Sequence, residues 1–248
     1  MNNKVNILGV YVDKVSISQA ADSIMSFISG EGSAKAVYTP NSEIIMHGYR
    51  DSELCDILND ADLLTADGIG VVYASKILGN PISERCAGYD VACTLLDKMG
   101  KEGKSVYLFG SKPGVAELAG ENLLKKYPGL AVVGYSDGYF DAEKEGQIIA
   151  DINSKKPDVL FVCLGAPKQE KWIYNHKNEL QCRVCMGLGG CLDVFAGTVE
   201  RAPDFYCKHG IEWLYRLIKQ PKRFFRMLDL PRFAVTVLLK GKKFKQDR

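Results

Sequence analysis

The chain has 248 residues, 46% hydrophobic and 25% charged, enough to bury a full core as one large domain or as one domain with an appendage. Its net charge of +2 hides an asymmetry: from Tyr206 onward there are 12 Lys+Arg against 3 Asp+Glu, whereas the preceding residues hold 20 against 27. A mildly acidic body with a strongly basic tail points to phosphate, anionic lipid or nucleic acid as a partner of the tail. The longest uncharged apolar run of the tail, Phe233 to Leu239, is far short of the roughly 20 residues a membrane span needs.

In chain order, Val5–Val12 reads as a strand and Ser16–Ile28 as an amphipathic helix. Ala36–Pro40 is a strand ending at Thr39-Pro40-Asn41, with a helix from Ser42 and another piece at Glu53–Leu58. Leu63-Leu64-Thr65-Ala66-Asp67-Gly68-Ile69-Gly70 is the stretch the rest is organised around: a short buried strand, an aspartate, and a glycine turn opening a helix. Tyr89–Met99, Val115–Tyr127, Glu143–Asn153 and Gln169–Leu180 carry helical spacing, between strands at Ser105–Phe109, Leu130–Tyr135, Asp158–Leu164 and Arg183–Leu188. This alternation predicts an α/β fold, a mostly parallel Rossmann-like sheet flanked by helices. The continuous apolar run Val159-Leu160-Phe161-Val162 fits a strand buried on both faces. After Gly197 the rhythm gives way to basic, aromatic helical stretches that Pro221 and Pro231 are expected to break into short helices. The expected division is a body of 1–204 and a helical appendage of 205–248.

Open parallel sheets gather their chemistry at the carboxyl ends of strands, and several ends carry unusual residues. Asp67 either caps the helix that follows by accepting its N–H groups or serves chemistry. Thr39 and Asn41 offer a hydroxyl and an amide, or simply a turn and an N-cap. Gly110, opening Gly110-Ser111-Lys112-Pro113-Gly114, suits a backbone cradle for a diphosphate or a base edge, or is needed only for the turn. Gly165 leads through Ala166-Pro167-Lys168 to Gln169 and Glu170 in the first turn of a helix, where Glu170 gains from the helix dipole and the Gln169 amide can bond sugar hydroxyls. Gly187-Leu188-Gly189-Gly190 allows close backbone approach, with Asp193 placed to hold ribose hydroxyls, but the run lacks the dinucleotide fingerprint.

Asp60-Ala61-Asp62 matches a metal-holding D-x-D pattern yet precedes its strand, so it reads as a helix end and no metal or other cofactor is expected. The eight cysteines lie mostly inside apolar patterns, and with no secretory leader pattern they predict a reducing cytoplasm. Cys182-Arg-Val-Cys185 lacks the second pair a zinc site needs.

Taken together, Thr39-Pro40-Asn41, Thr65-Ala66-Asp67-Gly68, Phe109-Gly110, Gly138-Tyr139-Phe140, Gly165-Ala166-Pro167-Lys168-Gln169-Glu170, Gly189-Gly190 and Arg201-Ala202-Pro203 resemble the WecG/TagA/CpsF family of bacterial glycosyltransferases, from about Ile7 to Leu230. The resemblance implies inverting, metal-independent transfer of N-acetylmannosamine from a UDP-sugar donor to GlcNAc on undecaprenyl diphosphate, making a β-1,4 link in the wall teichoic acid linkage unit. A sister branch of the family transfers N-acetylmannosaminuronic acid. Carried onto this sequence, it makes Asp67 the general base, with Thr39, Asn41 and Gln169 orienting the sugars and Arg85 on the departing diphosphate. Tyr139 is assigned to uracil and Asp193 to ribose, with Gly110 and Gly165 as backbone contacts. Arg216, Arg223 and Arg226 are expected to lie over the diphosphate from the appendage. A basic amphipathic tail fits a peripheral address on the anionic inner face of the cell membrane. An ordinary packed helix with a solvated basic face is the alternative. A non-catalytic UDP-sugar or lipid-surface module would bind without turnover. No nucleic-acid reading motif is present. A homo-oligomer is among the assemblies the sequence allows.

Overall fold

In the computed structural model, which describes residues 3–219, 221 and 227–244 (the side chains of Asp204, Lys208 and Arg216 excepted), the apolar runs assemble into a six-stranded sheet. Its order is β4 (Leu63–Leu64), β3 (Lys35–Tyr38), β8 (Val184–Gly187), β7 (Val159–Cys163), β5 (Ser105–Gly110) and β6 (Ala131–Ser136). Every pairing is parallel. Every residue of β7 and β8 is buried, because helices cover both faces and leave no side of these strands to water.

The expected strand over Val5–Val12 is instead a hairpin, β1 (Lys4–Ile7) and β2 (Val10–Asp13), paired antiparallel as a separate sheet. The chain reverses at Leu8 and Gly9, whose φ values of 55° and 99° provide the two left-handed positions of a tight hairpin turn. The turn preserves the inward alternation of Val5, Ile7, Val10 and Val12, so hydropathy alone reads through it.

The helices that place the strand ends are α1 (Ile17–Ser29), α2 (Ser42–Arg50), α3 (Ser52–Asn59), α4 (Ile69–Ile77), α5 (Gly88–Lys101), α6 (Val115–Lys126), α7 (Ala142–Lys155), α8 (Lys168–His176) and α9 (Cys191–Phe195). Helix α1 starts with a capping box, in which the Ser16 hydroxyl accepts from the Gln19 N–H and the Gln19 side chain accepts from the Ser16 N–H. One apolar cluster lies between the sheet and α1, α5 and α6, the other between the opposite face and α2, α3, α4 and α8. Helix α8 ends at His176 rather than running to Leu180.

The C-terminal part carries α10 (Asp204–Lys208), α11 (Glu212–Lys219) and α12 (Asp229–Lys240), with a 3-10 turn at Gly241–Phe244. Pro231 does not end a helix as expected. It is the third residue of α12, in the first turn, where an N–H would have no intrahelical acceptor. Phe233 and Val237 are buried in the same cluster as α2 and α4, each contributing about 1.5–3 kcal/mol. The opposite face of α12 exposes Val235, Leu238 and Leu239, the last at 76%.

Asp229 ties α12 to α2. Its carboxylate accepts from Arg50 at 2.9 Å and lies 3.5 Å from both His47 and Arg232. Burial works against the charge, but Arg50, Arg232 and His47 outweigh it and hold the carboxyl below its ordinary range. A depressed carboxylate stabilises the fold above its unfolded value and stops doing so as pH falls through the folded one. Asp229→Asn is therefore expected to unfold at a lower temperature than the wild type at pH 7, the two melting curves converging below about pH 4. An equal gap at pH 7 and pH 3 would contradict this.

Candidate active site

Five strand ends meet on one side of the sheet, and hydrogen bonds link the residues they carry. Asp67 follows β4. Its N–H donates to the Pro40 carbonyl at 3.1 Å, which places it beside the Thr39-Pro40-Asn41 end of β3. Helix α4 begins at Gly68 with no side-chain cap, and the Asp67 carboxylate takes the N–H of Gly88 at 3.3 Å, in the first turn of α5. A helix-end role is thus present for Asp67, at the N-terminus of α5, alongside its place among the strand ends. The half-buried carboxylate is held at a neighbouring helix N-terminus, where the dipole favours negative charge.

Thr39 packs against this first turn of α5. A Cβ on Gly88 would stand 2.7 Å from the Thr39 hydroxyl oxygen, so only glycine allows the approach. The Thr39 hydroxyl donates to the Gly187 carbonyl at the end of β8, 3.3 Å away. Asn41 caps α2 through its side-chain oxygen, which accepts from the Ile44 N–H at 3.0 Å. Its capping role is thus present, and its amide NH₂ is the group left for a ligand.

Arg85 sits on the loop before α5 with a largely buried side chain. It pairs with Glu212 of α11 at 3.0 Å and with Asp90 at 3.6 Å. Burial alone would pull its pKa down, but Asp67, Glu212 and Asp90 outweigh it and raise it above the ordinary value. Asp90 also binds Arg201 of the Arg201-Ala202-Pro203 run, whose guanidinium lies 4.7 Å over the Tyr89 ring. Arg85 and Arg201 thus share a carboxylate network, through Asp90 and Glu212, that joins α5 to the C-terminal helices. Glu212 lies 127 positions away, and no local pattern announces it.

On the other side of β8, Gln169 is buried at the start of α8. Its Oε1 accepts the Gly189 N–H at 2.9 Å and its Nε2 donates to Glu170 at 2.9 Å. Asp193 accepts from the Ser111 hydroxyl at 3.0 Å, next to Gly110 at the end of β5. Gly110 has φ 130° and abuts the backbone of Cys163 at the end of β7. The Gly138 N–H donates to the Ser111 carbonyl at 2.9 Å, which brings Tyr139, 62% exposed, to the same edge. Gly165, with φ 77°, turns the chain from β7 towards α8, leaving open space where a side chain would stand.

Asp67, Gly88, Thr39, Gly187, Gln169, Gly189, Asp193, Ser111 and Gly110 therefore form one connected floor across β4, β3, β8, β7 and β5. Asp67 and Arg85 lie at one end, and Asp193, Gly110 and Tyr139 at the other. The side chain of Arg216, and Arg223 and Arg226 altogether, lie outside the described residues. Asp60 and Asp62 stand at the opposite, amino-terminal end of the strands, paired with Lys177 and Lys35. Cys182 and Cys185 are buried with their sulfurs 3.4 Å apart. Among the described residues, no helix is long and apolar enough to cross a membrane.

Comparison with known proteins places this arrangement among relatives. The sequence model of the Glycosyl transferase WecG/TagA/CpsF family matches residues 5–247. A Bacillus spizizenii protein named N-acetylglucosaminyldiphosphoundecaprenol N-acetyl-beta-D-mannosaminyltransferase is 39% identical over 203 residues, covering 82% of this chain and 78% of that protein. A Bacillus subtilis protein of the same name is 39% identical over 209 residues, covering 84% and 81%. One from Staphylococcus aureus is 34% identical over 246 residues, covering 99% and 96%.

Proposed function

The chain belongs to the WecG/TagA/CpsF family of glycosyl transferases, and from that membership we propose that it moves N-acetylmannosamine from UDP-ManNAc to GlcNAc on undecaprenyl diphosphate, forming the β-1,4 link of the wall teichoic acid linkage unit. The observation that carries the reading is the Asp67 carboxylate, held at the N-terminus of α5 and set beside the Thr39-Pro40-Asn41 end of β3 and Arg85.

The acceptor C4 hydroxyl oxygen attacks the anomeric carbon from the face opposite UDP. The new C–O bond forms as the bond from that carbon to the phosphate oxygen breaks, and UDP leaves with the electron pair. The hydroxyl proton passes to Asp67. A positioned carboxylate in that role typically contributes 10²–10⁴-fold. Thr39, Asn41 and Gln169 orient the sugars, Gln169 from beneath through the Gly189 turn that its amide oxygen holds. Asp193 and Tyr139 take the ribose and uracil, and Gly110 and Gly165 let the backbone come close.

Arg85 meets the departing diphosphate where Glu212 now stands, since a guanidinium pairs two phosphate oxygens at once. Arg216, Arg223 and Arg226 are the further cations proposed for this step, reaching over from the functional appendage of 205–248. The exposed apolar face of α12, flanked by Arg232 and Lys240, supports a peripheral address on the anionic inner face of the membrane, where a lipid-linked acceptor resides.

The test is turnover by purified full-length protein with a panel of UDP-sugars and a soluble lipid-diphosphate GlcNAc acceptor, with and without EDTA. UDP-ManNAc is expected to be the preferred donor and the product to carry a β linkage. UDP binding without transfer from any donor would replace the reading with a binding module. Preference for the uronic acid donor would move the chain to the sister branch.

A further inference from the structure

Gln169 and Glu170 are neighbours in the first turn of α8, yet both side chains turn inward, 3% and 1% exposed. A carboxylate in the first turn of a helix gains from the dipole while still in water, so nothing in the helix itself requires Glu170 to be buried. Its Oε1 accepts from the Gln169 amide at 2.9 Å, and its Oε2 is buried with no hydrogen-bond partner among the described residues. Leaving a buried polar atom unmet destabilises the fold, so a retained case calls for an explanation.

The geometry supplies one. A glutamine amide can turn over, exchanging its oxygen and nitrogen. The Gly189 N–H can only donate, so it requires the amide oxygen, and the Glu170 oxygen on the other side takes the NH₂ end. The two contacts select one orientation and tie α8 to the turn after β8. That turn carries Gly187, whose carbonyl accepts from Thr39, and leads to Asp193, which holds Ser111.

We propose that Glu170 is a positioning residue for the transfer reaction: from the dry side of α8 it fixes the orientation of the Gln169 amide, and through that amide the Gly189 turn on which the donor lies. The inference rests on the proposed transferase reading, which makes this turn the floor of the donor site.

Burial pushes the Glu170 carboxyl above its ordinary range, against the smaller opposing pulls of the Gln169 amide and a backbone N–H. Tyr38 faces it from β3, its hydroxyl donating to the Glu170 carbonyl at 3.3 Å. The other titratable groups on the packed elements are Lys35 on β3, Cys163 on β7, Cys185 on β8, and Glu53, Cys55 and Asp56 on α3. At the α3 side, Asp51 and Glu53 are engaged by Lys171, and Asp60 by Lys177. A group that keeps its proton longer folded than unfolded makes the fold less stable as pH rises past the unfolded value. Glu170→Gln keeps the shape and the acceptor and removes that titration.

The experiment compares wild type, Glu170→Gln, Glu170→Ala and Glu170→Met in the full chain, the methionine keeping volume without an acceptor should the alanine variant not fold. Three quantities are read: amide exchange at Gly189, kcat and KM with UDP-ManNAc and the lipid-diphosphate acceptor, and melting temperature against pH. The alanine or methionine variant is expected to exchange the Gly189 amide at least about tenfold faster and to lose up to about 10²-fold in kcat. Glu170→Gln is expected to restore both, and to melt above the wild type at pH 8 but not below about pH 4.5. Unchanged Gly189 protection in the folded alanine or methionine variant, or a glutamine variant as impaired as these, overturns the proposal. Should the wild type itself fail to turn over any UDP-sugar, the transferase reading falls, and the exchange comparison alone decides whether Glu170 orders the turn.

Discussion

Asp67→Asn is expected to lower kcat by roughly 10²–10⁴-fold while UDP affinity changes little, the range by which a positioned general base accelerates proton removal. Asparagine matches aspartate in shape, and its side-chain oxygen can still accept the Gly88 N–H that holds the carboxylate at 3.3 Å. What it cannot do is take a proton from an incoming hydroxyl. Asp67→Ala removes the acceptor as well, leaving the first N–H of α5 to water, and is expected to be equally inactive with a small added loss of stability. Calorimetric titration with UDP and initial rates with the lipid-diphosphate acceptor separate the two effects. If Asp67→Asn turned over at the wild-type rate, the proton would have to go elsewhere and the assignment would fail. A fall in UDP affinity matching the fall in rate would make Asp67 a binding group.

The second large effect concerns Gly110, at the point where β5 delivers its loop to the site. A Cβ there would lie 2.3 Å from the Cys163 carbonyl oxygen and 2.5 Å from the carbonyl carbon, all backbone of the adjoining strand β7. Nothing flexible can move aside, because the same backbone belongs to the β5–β7 ladder, in which Gly110 is paired with Cys163. The residue also has φ 130°, a conformation that side chains rarely adopt. Backbone strain of about 1–3 kcal/mol adds to an overpacking cost of about 1–3 kcal/mol. Set against a typical total of about 5–15 kcal/mol, Gly110→Ala is expected to lose much of its urea midpoint or fail to accumulate as soluble protein. Gly114→Ala is the control: its φ is 81°, but no atom lies within 4 Å of the added carbon, so only the smaller conformational cost applies. Equal midpoints for the two variants would show that the strand contact does not carry the effect.

Legibility from sequence varied by element, for physical reasons. Strands β5, β7 and β8 were plain because burial on both faces demands unbroken apolar runs, and a charge there would stand out. Helix α1 was plain because its apolar spacing and Ser16 cap are both local. The β1–β2 hairpin reads as one strand in the sequence, since alternation survives the turn and Leu8 is no ordinary turn residue. Pro231 reads as a helix breaker, but a proline in the first turn loses no intrahelical bond. The site motifs Thr39-Pro40-Asn41, Asp67 and Gln169 were visible as polar residues at strand ends. Their partners were not: Gly88 lies 21 residues from Asp67, and Gly189 lies 20 from Gln169.

The alternation of strands and helices, the carboxyl ends at which polar residues gather, and the contrast between an acidic body and a basic tail are all written in the chain itself. These follow from side-chain spacing and charge, which are properties of neighbours along the chain. The folded chain adds that β8 enters between β3 and β7, that Asp67 takes an N–H at the start of α5, and that Glu212 reaches Arg85. It also adds that Glu170, which the helix dipole would favour at the surface, lies in the dry interior behind Gln169. Each of these is a contact between segments far apart in the chain, selected by the packing of the whole sheet, and local preference carries no information about it.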